Sequence, residues 1–163
     1  MAAHTQRPII FPLSNPTTLM EARAADLLTW TDGRALVATG IPSCPVTYKR
    51  VTYAIGQANN ALLYPGLGLG AIVARAHRIS DGMFMAAARA VASLVDANLP
   101  GASLLPHVEN LRAVSATVAV EVAKTAVAEG LARVQLTDVE KLVQDTMWQP
   151  VYPQLQVKRE VRV

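Results

Sequence analysis

Apolar positions change their period partway along this chain, and the change separates two kinds of structure. From Pro8 to Leu13 the residues Pro-Ile-Ile-Phe-Pro-Leu run without a polar interruption, which predicts a short, fully buried strand of the parallel-sheet type. Ser14-Asn15-Pro16-Thr17 stops it as a turn-and-cap signal. Thr18 and Glu21 have capping-box spacing, and Leu19, Met20, Ala24, Leu27 and Leu28 supply a helical stripe that ends near Thr31-Asp32-Gly33. Ala35 to Thr39 predicts a second apolar strand, closed by Gly40. Strand, helix and strand with short joints form a parallel crossover unit. Two strands are too few for an independent sheet, so the rest of the sheet is expected upstream.

Val46-Thr47-Tyr48 and Val51-Thr52-Tyr53-Ala54-Ile55 alternate and are β-branched, predicting either a small hairpin around Lys49-Arg50 or two short extended pieces. Gly56 to Asn60 reads as a polar loop. From Pro65 the period becomes helical, with helices expected over 65–76, 80–97, 110–129 and 137–147. Gly130 is the natural stop of the third, and Thr137 with Glu140 forms a capping box for the fourth. The last sixteen residues have no sustained period and read as an extended arm or tail. The fold class expected is α/β: a partial Rossmann-like parallel sheet over residues 1–64, a helical portion packed on it over 65–153, and a tail over 154–163.

Composition sharpens this picture. Apolar residues make up 52% of the chain against 17% charged, with a mean hydropathy of +0.26. That excess implies a surface normally covered, by missing protein or by a second copy. The net charge of +3 comes from scattered basic residues, with the densest cluster at Lys158, Arg159 and Arg162. No aromatic residues interleave with them as stacking platforms, which argues against nucleic acid as a partner. A single cysteine, Cys44, excludes an internal disulfide, and no apolar run is long enough to cross a membrane. A cytoplasmic protein is expected.

Three segments carry candidate chemistry. Asn15 follows a strand of the kind whose carboxyl end faces a ligand crevice in open parallel sheets, and its amide can both donate and accept; equally, it can simply cap the next helix. Asn59 and Asn60 precede a helix, where one can bind while the other holds the loop. Pro65-Gly66-Leu67-Gly68-Leu69-Gly70-Ala71 formally fits a dinucleotide phosphate loop. Pro65 at a helix start and the lack of a carboxylate near residue 90 favour helix packing instead. His4, His77 and His107 are dispersed, no carboxylates pair, and the serines have neither a neighbouring histidine nor an elbow context. The residues therefore predict binding groups without a catalytic residue or metal ligand of their own.

Taken in order, Arg7 to Thr17, Trp30-Thr31-Asp32-Gly33-Arg34, Gly56 to Asn60 with Pro65 to Gly70, Arg78 to Phe84, and Ala113-Val114-Ser115 resemble the C-terminal, NAD-binding portion of the malic enzyme family. The resemblance implies oxidative decarboxylation of malate to pyruvate and CO2 with NAD or NADP and a Mg or Mn ion. It further implies that Asn15 and Asn60 contact malate, and that Asn15 and Asn59 lie at the nicotinamide end of the cofactor. The family's lysine and tyrosine acid/base pair, acidic metal ligands and phosphate loop belong to sequence upstream of residue 7, so the expectation is a fragment inactive alone. Ala58 stands where glycine is commoner, and Gly40-Ile41-Pro42-Ser43 departs from the family loop. Malolactic enzyme shares these motifs, and a non-catalytic NAD-binding or structural module is the other alternative. Homo-oligomerisation, or association with the missing N-terminal portion, follows from the apolar excess.

Overall fold

The computed structural model describes residues 1–152, so the tail expected over 154–163 lies outside the described residues. Strands β1 (Ile9–Ile10), β2 (Leu36–Thr39) and β5 (Gly56–Gln57) form one parallel sheet in the order β1-β2-β5. Helix α1 (Ala24–Trp30) provides the β1-to-β2 crossover, while β3 (Val46–Tyr48) and β4 (Val51–Tyr53) pair antiparallel as a separate hairpin. Four helices follow: α2 (Tyr64–Val73), α3 (Asp81–Ser93), α4 (Leu111–Ala128) and α5 (Val139–Thr146). The fold is α/β, with a parallel sheet succeeded by helices.

Four local expectations are corrected. The first strand is not fully buried: Pro8 and Pro12 point inward, but Ile9, Phe11 and Leu13 are 56%, 41% and 50% exposed. β1 is an edge strand with β2 on one side only, so every second residue lacks a covering layer. Thr18 and Glu21 do not form a capping box. Thr17–Leu19 is a single 310 turn, α1 starts later at Ala24, and the Glu21 carboxylate accepts from the Ser14 backbone N–H at 3.1 Å. Gly56-Gln57 is a strand, not loop, because its backbone joins the open side of β2. In α5 the capping side chain is Asp138, accepting from Lys141 N at 3.0 Å, one residue later than Thr137.

Of the two forms open for residues 46–55, the hairpin is adopted. Lys49 and Arg50 both have positive φ (45° and 68°), the pairing that a two-residue turn needs to match strand twist. The hairpin sits on the end of α1: Tyr53 Oη donates to Gly33 O, Tyr48 Oη donates to Asp32, and Lys49 forms an ion pair with Asp32. Buried Thr31 joins α1 to β2 by donating to Leu27 O at 2.7 Å and accepting from Ala35 N at 3.1 Å. Behind the sheet lies a small core of Ala24, Leu27, Leu28, Ala35 and Val37.

The larger core is helical, built from α2, α3 and α4 around Leu67, Met83, Ala87, Val118, Val122 and Ala126. Ser80 caps α3 by accepting from Met83 N at 3.1 Å and donates to Glu129 beyond the far end of α4. Gly66 and Gly70 sit one turn apart on the face of α2 that meets α4. A Cβ on Gly66 would lie 2.5 Å from Val118 Cβ and 2.7 Å from Ser115 O; on Gly70, 2.6 Å from Ala119 O. Gly68 faces open space. The glycines therefore let two helix backbones touch, and the phosphate-loop pattern is a packing pattern, as its context in the sequence indicates.

This arrangement predicts a sign reversal within one motif. In urea denaturation of the full chain, Gly66→Ala and Gly70→Ala should each destabilise by about 1–3 kcal/mol through overpacking. Gly68→Ala should stabilise by up to about 1 kcal/mol through helix propensity alone. Equal effects at the three positions would contradict the close approach of α2 and α4.

Candidate functional site

Because β1, β2 and β5 are parallel and adjacent, the segments leaving their carboxyl ends emerge at one edge of the sheet. The first is Ser14 to Thr17, whose Asn15–Pro16 peptide bond is cis. The second is Gly40 to Ser43, and the third is Ala58 to Leu62. With neighbouring strands about 4.8 Å apart, the outer strands β1 and β5 lie about 10 Å apart across β2. Asn15 and the pair Asn59-Asn60 thus share an edge, which is the side of an open parallel sheet where ligands bind.

Backbone contacts tie the three segments together. Gly40 N donates to Pro12 O at 3.1 Å and Ala58 N donates to Thr39 O at 2.8 Å, extending the ladder past the strands. A Cβ on Gly40 would lie 2.5 Å from Leu13 O, so only glycine lets the first two segments approach this closely. Fully buried Thr39 donates to Ile41 O at 2.9 Å and pairs with Ser43 Oγ at 3.0 Å, folding the middle segment back on itself. Gln57 Nε2 reaches Gly40 O at 3.4 Å. Thr39, Gln57 and Ser43 were not singled out by sequence reasoning. The one available signal was a polar residue ending an apolar strand, which is too common to select.

The three asparagines are all exposed, and they are differently engaged. Asn59 Oδ1 accepts from Ala61 N at 2.9 Å and caps the 310 turn Asn60–Leu62, so its acceptor is used while its amide N–H groups have no partner among the described residues. Among the described residues, the Asn15 and Asn60 side chains make no hydrogen bond, and both residues are exposed. Asn15 does not cap a helix: the 310 turn that follows takes Pro16 at its start and has no side-chain cap. Among the described residues, no group of three or more His, Cys, Asp or Glu side chains is placed to hold a metal ion. A cleft of about 310 Å³ between Arg7, Gly33, Val37, Tyr53 and Pro100 lies toward the opposite, amino edge, away from the asparagines.

One carboxylate stands at the asparagine edge. The hydrogen bond with Ser14 holds Glu21 below the usual glutamate range, with its own backbone adding to the effect. The depressed folded-state pKa means that this tether contributes above the unfolded glutamate pKa and is lost as pH falls through the folded value. In an NMR titration, the Glu21 carboxylate should therefore show a midpoint below that of a free glutamate. Ser14 amide exchange should speed up over the same acid range, and Glu21→Gln should abolish that pH dependence. A Glu21 midpoint at or above the free value would remove the tether.

A family model described as "Malic enzyme, NAD binding domain" matches residues 1–127. The chain is 61% identical over 152 residues to NAD-dependent malic enzyme 3 of Bacillus subtilis strain 168, covering 93% of this chain and 27% of that protein. It is 51% identical over 152 residues to the malolactic enzyme of Lactiplantibacillus plantarum, covering 93% of this chain and 28% of that protein. Among solved structures, the malic enzyme from Pyrococcus horikoshii superposes with a TM-score of 0.68 at 33% identity, over 87% of this chain and 29% of that one. The chain spans little more than a quarter of the length of these relatives.

Proposed function

This chain belongs to the malic enzyme family through its NAD-binding domain, and from that premise we propose that it supplies the malate- and nicotinamide-orienting edge of an enzyme that oxidatively decarboxylates malate to pyruvate and CO2. The observation that carries the reading is the pair of exposed, unengaged amides, Asn15 and Asn60, emerging from parallel strands on either side of β2. Asn60 and Asn15 orient malate. Asn15 and the free N–H groups of Asn59 face the nicotinamide end of NAD or NADP, where a carboxamide has matching donors and acceptors. The boundary lies near residue 64, with the cofactor-domain portion before it and a helical portion packed on that domain after it.

The described residues fit the nicotinamide end of a dinucleotide but not its pyrophosphate. The segment after β1 lacks a glycine turn at a helix N-terminus, and Gly66 and Gly70 of α2 lie against α4. The nicotinamide ring takes up hydride when bound; this chain's part is to fix the orientation of ring and substrate. The Mg or Mn ion of the family finds no ligand group among the described residues. A chain without metal ligands or an acid/base pair should give no malate-dependent NAD(P) reduction on its own with Mn between about pH 6 and 9. A clear rate in a spectrophotometric assay would overturn this.

Association is part of the proposal. Ile9, Phe11 and Leu13 form an exposed apolar row beside an unpaired strand edge, suited to the remaining portion of a family member or to a second copy. No described helix is long and apolar enough to cross a membrane. The exposed free thiol of Cys44 is in keeping with a cytoplasmic setting. A lactate-forming reaction is the second reading, favoured by the 51% identity to a malolactic enzyme.

A chimera tests these roles: this chain replaces the matched stretch of the Bacillus subtilis relative. Malate-dependent NAD reduction is expected. Asn60→Ala should then lower kcat/KM for malate by about 10- to 100-fold, the loss of a hydrogen bond to a charged group. Lactate formation without net NAD reduction would select the second reading. An active chimera in which Asn15→Ala and Asn60→Ala both leave kcat and KM unchanged would sink the assignment of the edge.

A further inference from the structure

Between the two asparagine segments, the chain from Gly40 to Ser43 is folded back by one hydroxyl. Thr39, the last residue of β2, is fully buried; its Oγ1 donates to Ile41 O at 2.9 Å and lies 3.0 Å from Ser43 Oγ. A threonine hydroxyl has a single hydrogen. With that hydrogen on Ile41 O, the hydrogen of the Thr39–Ser43 pair belongs to Ser43. We propose that Thr39 is a positioning residue for malate binding, acting through Ser43 and the Ile41 carbonyl to hold the 40–43 segment between Asn15 and Asn60. The inference rests on the malate-orienting reading of those two asparagines.

The hydrogen bonds of the segment divide by type. Its first two carbonyls are engaged, Gly40 O by Gln57 Nε2 at 3.4 Å and Ile41 O by Thr39. The backbone N–H groups of Ile41 and Ser43, by contrast, have no acceptor among the described residues. A ligand that reaches the segment therefore meets spare donors, which suits a carboxylate and not a cation. The segment is also anchored from both neighbours. Gly40 N donates to Pro12 O at 3.1 Å, toward Asn15, and Thr39 O accepts from Ala58 N at 2.8 Å, toward Asn59 and Asn60. Thr39 thus holds the third segment with its carbonyl and the second with its hydroxyl, so that one buried residue sets the spacing between them.

A plainer role explains only part of this. A buried hydroxyl needs a partner, and threonine commonly finds one in the backbone nearby. Ile41 O alone meets that need. The second partner, Ser43 Oγ, comes from a half-buried residue four positions on, and its own hydrogen is spent on the contact. Valine differs from threonine chiefly in lacking the hydroxyl. Replacing Thr39 with valine leaves the strand end filled, while Ile41 O and Ser43 Oγ both lose their partner and the segment between the asparagines is released. Neutral donors act on a carboxylate only while they are held in place, so malate binding is what this release weakens.

Steady-state kinetics of the chimera, in which this chain replaces the matched stretch of the Bacillus subtilis relative, test the assignment. Thr39→Val should raise KM for malate about fivefold or more, while Thr39→Ser, which keeps the hydroxyl, should stay within about twofold of the unsubstituted chimera. KM does not depend on how much of the enzyme is folded, so lost stability alone leaves it in place. Ser43→Ala removes the same contact from its less buried side and should raise KM about threefold or more, which decides the matter if Thr39→Val does not fold. Where both fold, the double variant should exceed Thr39→Val by less than about twofold, because the two changes break one contact. Equal KM values for Thr39→Val and Thr39→Ser, no effect of Ser43→Ala, or a double variant that multiplies the single effects would each overturn the proposal. Those results, beside impaired Asn15→Ala and Asn60→Ala, remove the role of Thr39 alone. An inactive chimera, or asparagine variants without effect, removes the reading of the edge and this inference together.

Discussion

Main-chain contact between α2 and α4 is the constraint on which the placement of the asparagine edge depends. Gly66 and Gly70 bring α2 against Ser115 O and Ala119 O of α4, closer than any side chain would permit. Fixing α2 fixes what precedes and follows it. At its start the 310 turn Asn60–Leu62 is pinned through buried Leu62, which sets where the strand β5 hands over to the asparagines. At its end Ala74, wholly buried, fixes the turn that carries Arg75 and Arg78. Between the asparagine turn and the turn of Arg75, α2 presents a face on which Gly66 and Gly70 lie against α4.

The sheet is held less completely than the helices. α1 covers it with a core of five buried residues, and β2 alone has partners on both sides. At β1 the inward residues Pro8 and Pro12 are buried, while the outward row is wet. Ladder contacts at Gly40 and Ala58 keep the carboxyl edge in register even so, because they join segments beyond the strands themselves. An edge ordered by backbone hydrogen bonds tolerates an uncovered side better than one ordered by packing. For that reason the asparagine segments are defined although the row of Ile9, Phe11 and Leu13 has no covering layer.

Local pattern revealed much of this, and its failures have physical causes. The crossover unit and all four later helices were legible, and the hairpin was one of two forms left open, since each rests on a period or a turn that neighbouring residues impose. Burial of the first strand was not, because an apolar run reports what a strand is suited to and not what lies against it. The helix after Asn15 was placed too early: Glu21 has cap spacing to Thr18 but bonds Ser14, a choice made by the turn between them. The helical period runs past Val73, whereas the chain leaves α2 through Arg75 in a left-handed conformation, φ 45°, with no glycine to announce it. Gly56-Gln57 carried no strand pattern at all; it is a strand only because β2 offers an open side.

Charge decides how far the asparagine edge can act alone. Malate is a dianion at neutral pH, and the segments 13–17, 40–43 and 58–63 contain no lysine or arginine. The ionisable side chain tied to the edge is Glu21, which accepts from Ser14 N, carries a negative charge at neutral pH and repels an anion. Amides can orient a carboxylate at little desolvation cost, but they cannot neutralise it. On the proposed reading, the compensating positive charge must come from outside these segments. A divalent ion is suited to that part, because it would both balance malate and polarise its hydroxyl. On that reading the division would be one of labour between neutral and charged groups: this chain's asparagines would set direction, and the affinity and reactivity that need charge would have to come from a metal and acidic ligands outside these segments.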